Sequence, residues 1–214
     1  MIRDDFNKGN VPDPNVWVAL GSPTVSGGKL YLATAGDGVR GKTRFLCDDL
    51  ARVTVEVFNG NGSVFITPYE LNVRPDSTNL PYFCVRYEQW GEFYKVDVLS
   101  HEKVLSSTFI FYALKILIKE EKEKLTFIGV GKTSGGAEQP ITLTTVDNPF
   151  YNQNVALYLF GGVTNIEYVE AGSGRELQAS LMMETILPPL IAVVTISVFV
   201  TVLRTLIRRV KGAV

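Results

Sequence analysis

The stretch LARVTVEVFNGNGSVFITPY, residues 50–69, alternates apolar and polar side chains on both sides of a short Gly/Asn run. Alternation with a period of two is typical of half-buried β-strands, and clustered Gly and Asn mark the turns between strands. We therefore predict strands at residues 50–58 and 62–69, joined by a turn at residues 59–62.

Alternating runs of the same kind recur along the first 170 residues, separated by Gly, Asn or dense charge. This spacing predicts an all-β sandwich or barrel rather than a helical or mixed fold. A chain segment of this length is enough for one such core and too short for two domains. Further strand candidates are residues 27–34, 82–88, 93–100, 113–120, 124–131 and 155–162.

Residues 4–34, DDFNKGNVPDPNVWVALGSPTVSGGKLYLAT, resemble the opening of the concanavalin A-like lectin/glucanase jelly rolls. In that family an Asp-Phe-Asn start, a Pro-Asn-x-Trp step and a Gly-Gly-Lys-Leu strand follow in this order. Residues 113–131 resemble the family's late hairpin, and residues 155–171 resemble its closing strands. The resemblance implies an antiparallel jelly-roll sandwich over residues 1–171, and a shared fold leaves the activity open.

The carboxylates expected of a family glycosidase are missing from the sequence. Such members carry Glu-x-Asp-x-x-Glu or a shortened form on one strand, and no such string is present. Retaining hydrolysis needs two carboxyl groups about 5 Å apart, whereas Glu88 and Glu92 flank a tight QWG turn as solvated charges. The only His, His101, lies in a polar SHEK turn. We predict no enzyme activity, no metal and no cofactor.

The C-terminal region carries an apolar run that the sandwich does not need. Residues 185–203 hold 19 consecutive uncharged residues rich in Val, Ile and Leu. A helix of that length spans about 28 Å, close to the hydrocarbon thickness of a bilayer. Pro188 and Pro189 fit the entry of such a helix. We predict a linker and juxtamembrane segment at residues 172–184, then one transmembrane helix at residues 185–203; a buried core helix is the alternative.

A basic tail, residues 204–214, follows the predicted span and contains Arg204, Arg208, Arg209 and Lys211. The rest of the chain has 17 Lys and Arg against 22 Asp and Glu, a formal charge of −5. By the positive-inside rule the C-terminus faces the cytoplasm or a particle interior, and the sandwich lies outside. The tail suits anionic lipid heads, and packaged nucleic acid is the other partner it could meet.

Two further groups are candidate contacts. Ser197, Thr201 and Thr205 recur every fourth residue, which places them on one stripe of the predicted helix. Small hydroxyl side chains of this kind mediate contacts between membrane helices, or bond to the carbonyl one turn back in their own helix. Trp90, at the tip of YEQWGEFY, is a possible anchor for a glycan, a lipid interface or a partner subunit, or packs against its own loop.

Four other residues have simpler interpretations. Trp17 is predicted to be a core aromatic, since it lies in the family-like PNVW step. Cys47 and Cys84 lie in apolar strand candidates, which favours buried thiols, with one disulfide as the alternative. Asn61 begins an Asn-Gly-Ser glycosylation sequence on the predicted turn, a weak three-residue signal.

These features predict a non-catalytic structural protein of a virus particle, homo-oligomeric and in contact with other virion proteins and membrane lipid. Its size and layout resemble, loosely, the tail components of spindle-shaped archaeal viruses. In such a particle it would form a tail or spike base that contributes to attachment or genome exit. The residues MIRDDFNKGNVPDP contain no apolar core of signal-peptide length, which favours this interpretation over the alternative. That alternative is a glycan-binding protein or adhesin anchored in the cell membrane by a single span.

Overall fold

A computed structural model describes residues 1–87, 93–96, 114–121, 124–132, 137–148 and 150–185. The chain divides into two compact units, Met1–Gly174 and Arg175–Val214. The first unit contains every described strand, so the fold is described for this unit alone.

Thirteen β-strands, one 3-10 helix and one α-helix occur in the described residues. The strands are β1 (Ile2–Asp4), β2 (Trp17–Leu20), β3 (Thr24–Ser26), β4 (Lys29–Leu32), β5 (Gly38–Gly41), β6 (Phe45–Leu46), β7 (Arg52–Thr67), β8 (Phe83–Tyr87), β9 (Phe93–Val96), β10 (Leu114–Glu121), β11 (Lys124–Lys132), β12 (Glu138–Asp147) and β13 (Asn154–Gly172). The 3-10 helix is Pro75–Ser77, and α1 is Gly174–Thr185.

Two long antiparallel strands form the centre of the fold. β7 pairs with β13 from Ala156↔Thr67 to Gly172↔Arg52, with three register shifts along the way. The predicted turn at residues 59–62 is therefore wrong, because these residues continue one 16-residue strand. The Asn-Gly-Ser sequence lies within the same strand, and Ser63 is only 5 % exposed.

Gly60 lies where a turn was predicted, and its role is to let the two long strands approach each other closely. Gly60 has φ +102°, and a Cβ there would lie 1.9 Å from the Val163 carbonyl oxygen. Val163 itself has φ +133° and is 62 % exposed, an unusual conformation for a β-branched residue. Glycine inside a strand often marks such a bulge or close backbone approach rather than a reversal.

The bulged region separates two groups of strands, which we call layer A and layer B. Layer A has the order β12-β11-β10-β7-β13-β1 and uses residues 52–57 of β7. Layer B has the order β9-β8-β7-β13-β5-β2 and uses residues 62–66 of β7. All these pairings are antiparallel, so β7 and β13 pass from one layer into the other without leaving the ladder. Strands that switch layers through bulges are a known way to form the corner of a sandwich.

The main core lies where the two layers contribute alternate side chains to one cluster. Val53, Val55 and Val57 enter it from the layer A part of β7, and Val64 and Ile66 enter it from the layer B part. All five are buried, as the period of two in the sequence predicts. The alternation agrees with these inward positions, but residues 63–67 are buried on both faces, so the half-buried strand predicted at residues 62–69 is wrong in that respect.

The N-terminal segment is fixed to this core by an aromatic pair. Trp17 is 2 % exposed, stacks on Phe6 with ring centroids 6.2 Å apart, and donates from Nε1 to Asp4 Oδ2 at 2.7 Å. Asp4 Oδ1 also accepts from the Phe6 N–H at 2.8 Å. The prediction that Trp17 is a core aromatic is confirmed.

Asp37, a buried residue of the β4–β5 connection, joins this connection to the one between β2 and β3 through its carboxylate. It accepts from the Ser22 N–H at 2.8 Å and from the Thr34 N–H and hydroxyl at 2.9 and 3.0 Å. Its own carbonyl accepts from the Gly161 N–H at 3.0 Å. The Ser22 bond, followed by those of Thr34, holds the pKa of Asp37 below its ordinary value despite burial.

The two cysteines are buried thiols rather than a disulfide. Cys47 belongs to the main core, whereas Cys84 belongs to a second, smaller apolar cluster. On β8, Cys84 alternates with Phe83 and Val85, which face the main core. Layer B thus lies between the two side chains, which explains why they do not pair.

Beyond the sandwich, α1 occupies most of the segment predicted as linker and juxtamembrane turn. No helix among the described residues combines the length and the apolar character that a bilayer span requires. The predicted span falls, apart from Thr185, on residues 186–203, which lie outside the described ranges.

Candidate functional site

The residues that the sequence suggested as contacts lie outside the described part of the chain. Trp90 falls in residues 88–92, together with Glu88 and Glu92, and His101 falls in residues 97–113. The helix stripe and the basic tail fall in residues 186–214; these are Ser197, Thr201, Thr205, Arg204, Arg208, Arg209 and Lys211. Their roles remain predictions.

The described residues point to a different place, the face of layer B that turns away from the main core. We call it the outer face. The strand registers place Phe65, Tyr158 and Cys84 in one row across β7, β13 and β8, with Arg40 of β5 at its end. The next row carries Arg86, Ser63 and Phe160. Because neighbouring residues alternate between faces, these side chains are separated from the main core by the sheet itself.

Aromatic rings fill the middle of the outer face. Phe160 meets Phe65 edge to face with centroids 6.0 Å apart and stacks on Tyr158 at 6.5 Å. Phe65 also meets Tyr82 edge to face at 5.6 Å. Gly38 makes room for this arrangement, because a Cβ there would lie 2.5 Å from Cδ1 of Phe160. The rings belong to the second apolar cluster, all of whose members are buried.

Residues 68–82, which connect β7 to β8 and include Tyr82, cover the rings of Phe65, Tyr158 and Phe160; we call them the covering loop. The Tyr158 hydroxyl donates to the Tyr69 carbonyl at 2.8 Å and accepts from the Leu71 N–H at 2.5 Å. The Arg74 guanidinium lies 5.6 Å from the Phe65 centroid and 5.4 Å from that of Phe160. These distances are typical of cation–π contacts, so the charged guanidinium of Arg74 packs against the aromatic rings.

Both carboxylates of the covering loop are paired with arginines. Asp76 accepts from Nε and Nη2 of Arg74 at 3.0 Å each and from Nη2 of Arg86 at 2.7 Å. Glu70 accepts from Arg40 at 3.2 Å. Burial alone would raise the pKa of Asp76, but the bonds and charge of Arg74, followed by those of Arg86, hold it below its ordinary value. Asp76 is therefore ionised near neutral pH and suits an ion pair rather than proton donation.

Cys84 is equally unsuited to chemistry on this face. Its side chain is 0 % exposed, and burial raises the pKa of the thiol to about 12. The thiolate is the reactive form of cysteine, so this residue is inert in the closed structure. The described residues also contain no group of three or more His, Cys, Asp or Glu arranged to hold a metal ion.

Two ionised carboxylates make the stability of the sandwich depend on acid. The pKa values of Asp37 and Asp76 both lie below the ordinary value in the folded state. Their stabilisation is complete above the unfolded-state pKa of about 3.9 and is lost as the pH falls through the lower folded-state values. We expect the free energy of unfolding, measured with urea between about pH 2 and about pH 6 (about two units on either side of that pKa), to decrease steeply below about pH 4. The double variant Asp37→Asn, Asp76→Asn should show a flatter profile in this window, and an unchanged slope would contradict the assignment.

Comparison with solved structures places this geometry in a known fold. Lectin I-B4 from Griffonia simplicifolia matches with a TM-score of 0.54 and 12 % identity, over 79 % of this chain and 98 % of the lectin. A β-1,3-1,4-glucanase (lichenase) derived from a mouse hindgut metagenome matches with a TM-score of 0.51 and 12 % identity, over 80 % and 98 %. The exoplasmic/lumenal domain of VIP36, in a Ca²⁺/Man3GlcNAc-bound form, matches with a TM-score of 0.52 and 10 % identity, over 75 % and 86 %.

The fold is a concanavalin A-like jelly roll. The resemblance noted in residues 4–34 is thereby confirmed at the level of the fold. No protein-family model and no curated protein sequence matches the chain. At such low identity the concanavalin A-like likeness describes architecture, and it assigns this chain neither the activity of a glucanase nor that of a lectin.

Sequence reasoning passed over the covering loop, although one signal was present. Pro75 and Pro81 punctuate the 12 residues between the strand candidates 62–69 and 82–88, and Pro68 ends the first strand early, which gives a 15-residue connection between β7 and β8. Connections longer than about 12 residues without regular structure are uncommon in compact domains and are often functional. The local sequence could not predict the arginine partners of the loop. Arg40 and Arg86 lie on other strands and contact the loop only because of the order in which the strands pair.

Proposed function

We propose that the chain is a non-catalytic, membrane-anchored structural protein of a virus particle, with the concanavalin A-like sandwich outside and the C-terminus inside. The apolar run at residues 185–203 supports the anchor, and the four cations after it support the orientation. The protein would be homo-oligomeric and would form part of a tail or spike base that contributes to attachment or genome exit.

One observation carries the non-catalytic part of the proposal, namely the closed outer face of layer B. Ligand sites are usually concave and present a few convergent polar groups to the ligand. On this face the aromatic rings are buried under the covering loop, and the loop carboxylates Glu70 and Asp76 are held by arginines. A carboxylate held ionised in this way is a poor general acid, which glycoside hydrolysis requires.

The outside of the covering loop supports a role in assembly. Tyr69, Val73 and Leu80 are large apolar residues of this loop that remain exposed. They make up three of the seven exposed large apolar residues found in the described part of the chain. Exposed apolar side chains favour contact with protein neighbours where they form one patch, as we propose for these three. In the proposed particle those neighbours are further copies of this chain or other virion proteins.

The predicted helix and tail complete the proposed mechanism. Ser197, Thr201 and Thr205 would let neighbouring helices approach closely, so that the anchors of several copies gather beneath the sandwiches. Arg204, Arg208, Arg209 and Lys211 would contact anionic lipid heads on the inner side, and nucleic acid would be met only through this tail.

Density-gradient fractionation tests the proposal. An antibody against residues 1–174 should detect the chain in the fractions that contain particles, at a constant ratio to the other particle proteins. Recovery in host membranes without particles would contradict it.

The alternative, a membrane-anchored glycan-binding protein or adhesin, is favoured by the likeness to lectins and to the glycan-bound VIP36 domain. Under this alternative the full-length chain in mild detergent would bind immobilised mannose-containing glycans and be eluted by free sugar. Saturable binding of this kind, with the chain located in host membranes, would favour the alternative over the structural proposal.

A further inference from the structure

The covering loop has the geometry of an Ω loop. Its 15 residues leave β7 and enter β8 at neighbouring positions, since Ile66 and Phe83 are paired across the two strands. The Thr67 hydroxyl donates to the Pro81 carbonyl at 2.6 Å and closes the neck of the loop. Surface loops of about 6–16 residues with adjoining ends form compact units and are frequently functional.

Side chains, rather than a backbone ladder, attach this loop to layer B. In the described part of the chain, the backbone bonds of the loop run within it, from Ser77 N to the Arg74 carbonyl and from Thr78 N to the Pro75 carbonyl. The attachments to other elements all use a side chain; they are Tyr158 to Tyr69 and Leu71, Arg40 to Glu70, Arg44 to Pro68, Arg74 to Ala35 and Arg86 to Asp76. Such a segment can detach without breaking a strand pairing.

The apolar residues beneath the loop form a cluster separate from the main core. Apart from Tyr82, which belongs to the loop itself, this second cluster holds Leu20, Phe65, Cys84, Ala156, Tyr158 and Phe160. The main core, on the other side of layer B, shares none of these residues. Opening of the loop would therefore expose one small cluster and leave the larger one intact, which is the condition for local rather than global unfolding.

We propose that residues 68–82 form a latch, which opens as one unit to uncover the aromatic outer face and is held closed in part by Asp76. Asp76 accepts from Arg86 of β8 and from Arg74 of the loop. Arg74 in turn donates to the Ala35 carbonyl and lies against the aromatic rings of the outer face. Loss of the Asp76 carboxylate therefore removes the Arg86 link directly and weakens the Arg74 contacts indirectly. Opening takes Glu70 and Asp76 away with the loop and leaves Arg40 and Arg86 on the strands. The uncovered face is then both aromatic and positively charged.

Cys84 reports the opening directly, because it lies beneath the loop with its side chain 0 % exposed. In the full-length chain carrying Cys47→Ser, a dipyridyl disulfide should label Cys84 at least about tenfold faster after Asp76→Asn. A tenfold increase corresponds to a shift of about 1.4 kcal/mol in the equilibrium between the closed and the open loop. Glu167→Gln is the matched control, since Glu167 pairs with Lys29 away from the loop. This control should leave the labelling rate unchanged, and equal rates in all three proteins would overturn the proposal.

Cys47 separates local opening from global unfolding. In a Cys84→Ser background, Asp76→Asn should leave the labelling of Cys47 unchanged, because Cys47 lies in the main core. A parallel increase at Cys47 would mean that the whole sandwich opens and would overturn the latch. Hydrogen exchange of the unaltered chain gives the same distinction without a variant. Amides of residues 71–80 should exchange at least about tenfold faster than those of β7 and β13, and equal rates would contradict a separate unit.

Discussion

Gly60→Ala is expected to abolish the folded sandwich, with a loss of more than about 4 kcal/mol in the free energy of unfolding. A Cβ at this position would lie 1.9 Å from the Val163 carbonyl oxygen and 2.7 Å from the Thr164 Cα, both of which are backbone atoms that no rotamer change can move. The φ of +102° adds strain for any residue with a Cβ. Circular dichroism and urea unfolding of residues 1–174, a compact unit, measure the effect.

Gly27→Ala is the matched control for backbone strain alone. Gly27 also has a positive φ, +57°, but a Cβ there meets nothing within 4 Å. It should cost only about 1–2 kcal/mol, the penalty of a left-handed conformation. If both variants lose the same stability, the close approach of β7 and β13 at Gly60 is not what the folded sandwich requires at this corner.

Trp17→Ala should cost about 3–5 kcal/mol, the usual range for removing a large buried aromatic side chain. The change removes the stack on Phe6 and leaves Asp4 Oδ2 without the indole N–H that it accepts at 2.7 Å. Since Asp4 lies in β1, which pairs with the end of β13, the N-terminal strand should loosen with it. Urea unfolding followed by circular dichroism gives the magnitude, and hydrogen exchange of residues 2–6 gives the location.

Trp17→Phe separates the two contributions. Phenylalanine keeps an aromatic ring against Phe6 but has no N–H for Asp4, so it should cost about 1.5–3 kcal/mol, the value of one hydrogen bond with a charged acceptor. A cost for Trp17→Ala as small as that for Trp17→Phe would mean that the aromatic pair does not secure the N-terminal segment.

The sequence predicts seven of the thirteen described strands, because the pattern of these seven is local, and it misses β1, β2, β3, β5, β6 and β12. Residues 82–88, 113–120 and 124–131 each give a strand within one or two residues of the predicted limits, and the inward face of β7 follows from alternation. The turn at residues 59–62 fails because Gly and Asn serve two purposes. They permit a reversal of the chain and also the close approach of two strands, and only the partner strand, distant in sequence, distinguishes them.

The candidate site was less predictable because it depends on register. Arg40, Arg74 and Arg86 come from a strand, a loop and another strand, and the pairings with β7 and β13 bring them to one face. Glu70 and Asp76 look like ordinary loop charges until those arginines are in place. Trp90 and the C-terminal stripe carried clear local signals, and they stay predictions because they lie outside the described residues.

The proposed orientation and location are tested together by protease treatment of particles purified on a density gradient, followed by mass spectrometry of the peptides that survive. The account predicts that the chain migrates with the particles, that peptides from residues 1–174 are digested in intact particles, and that residues 186–214 are protected until detergent is added. A chain that is absent from the particles, or a basic tail that is digested while the sandwich is protected, would contradict a membrane-anchored structural protein with its sandwich outside.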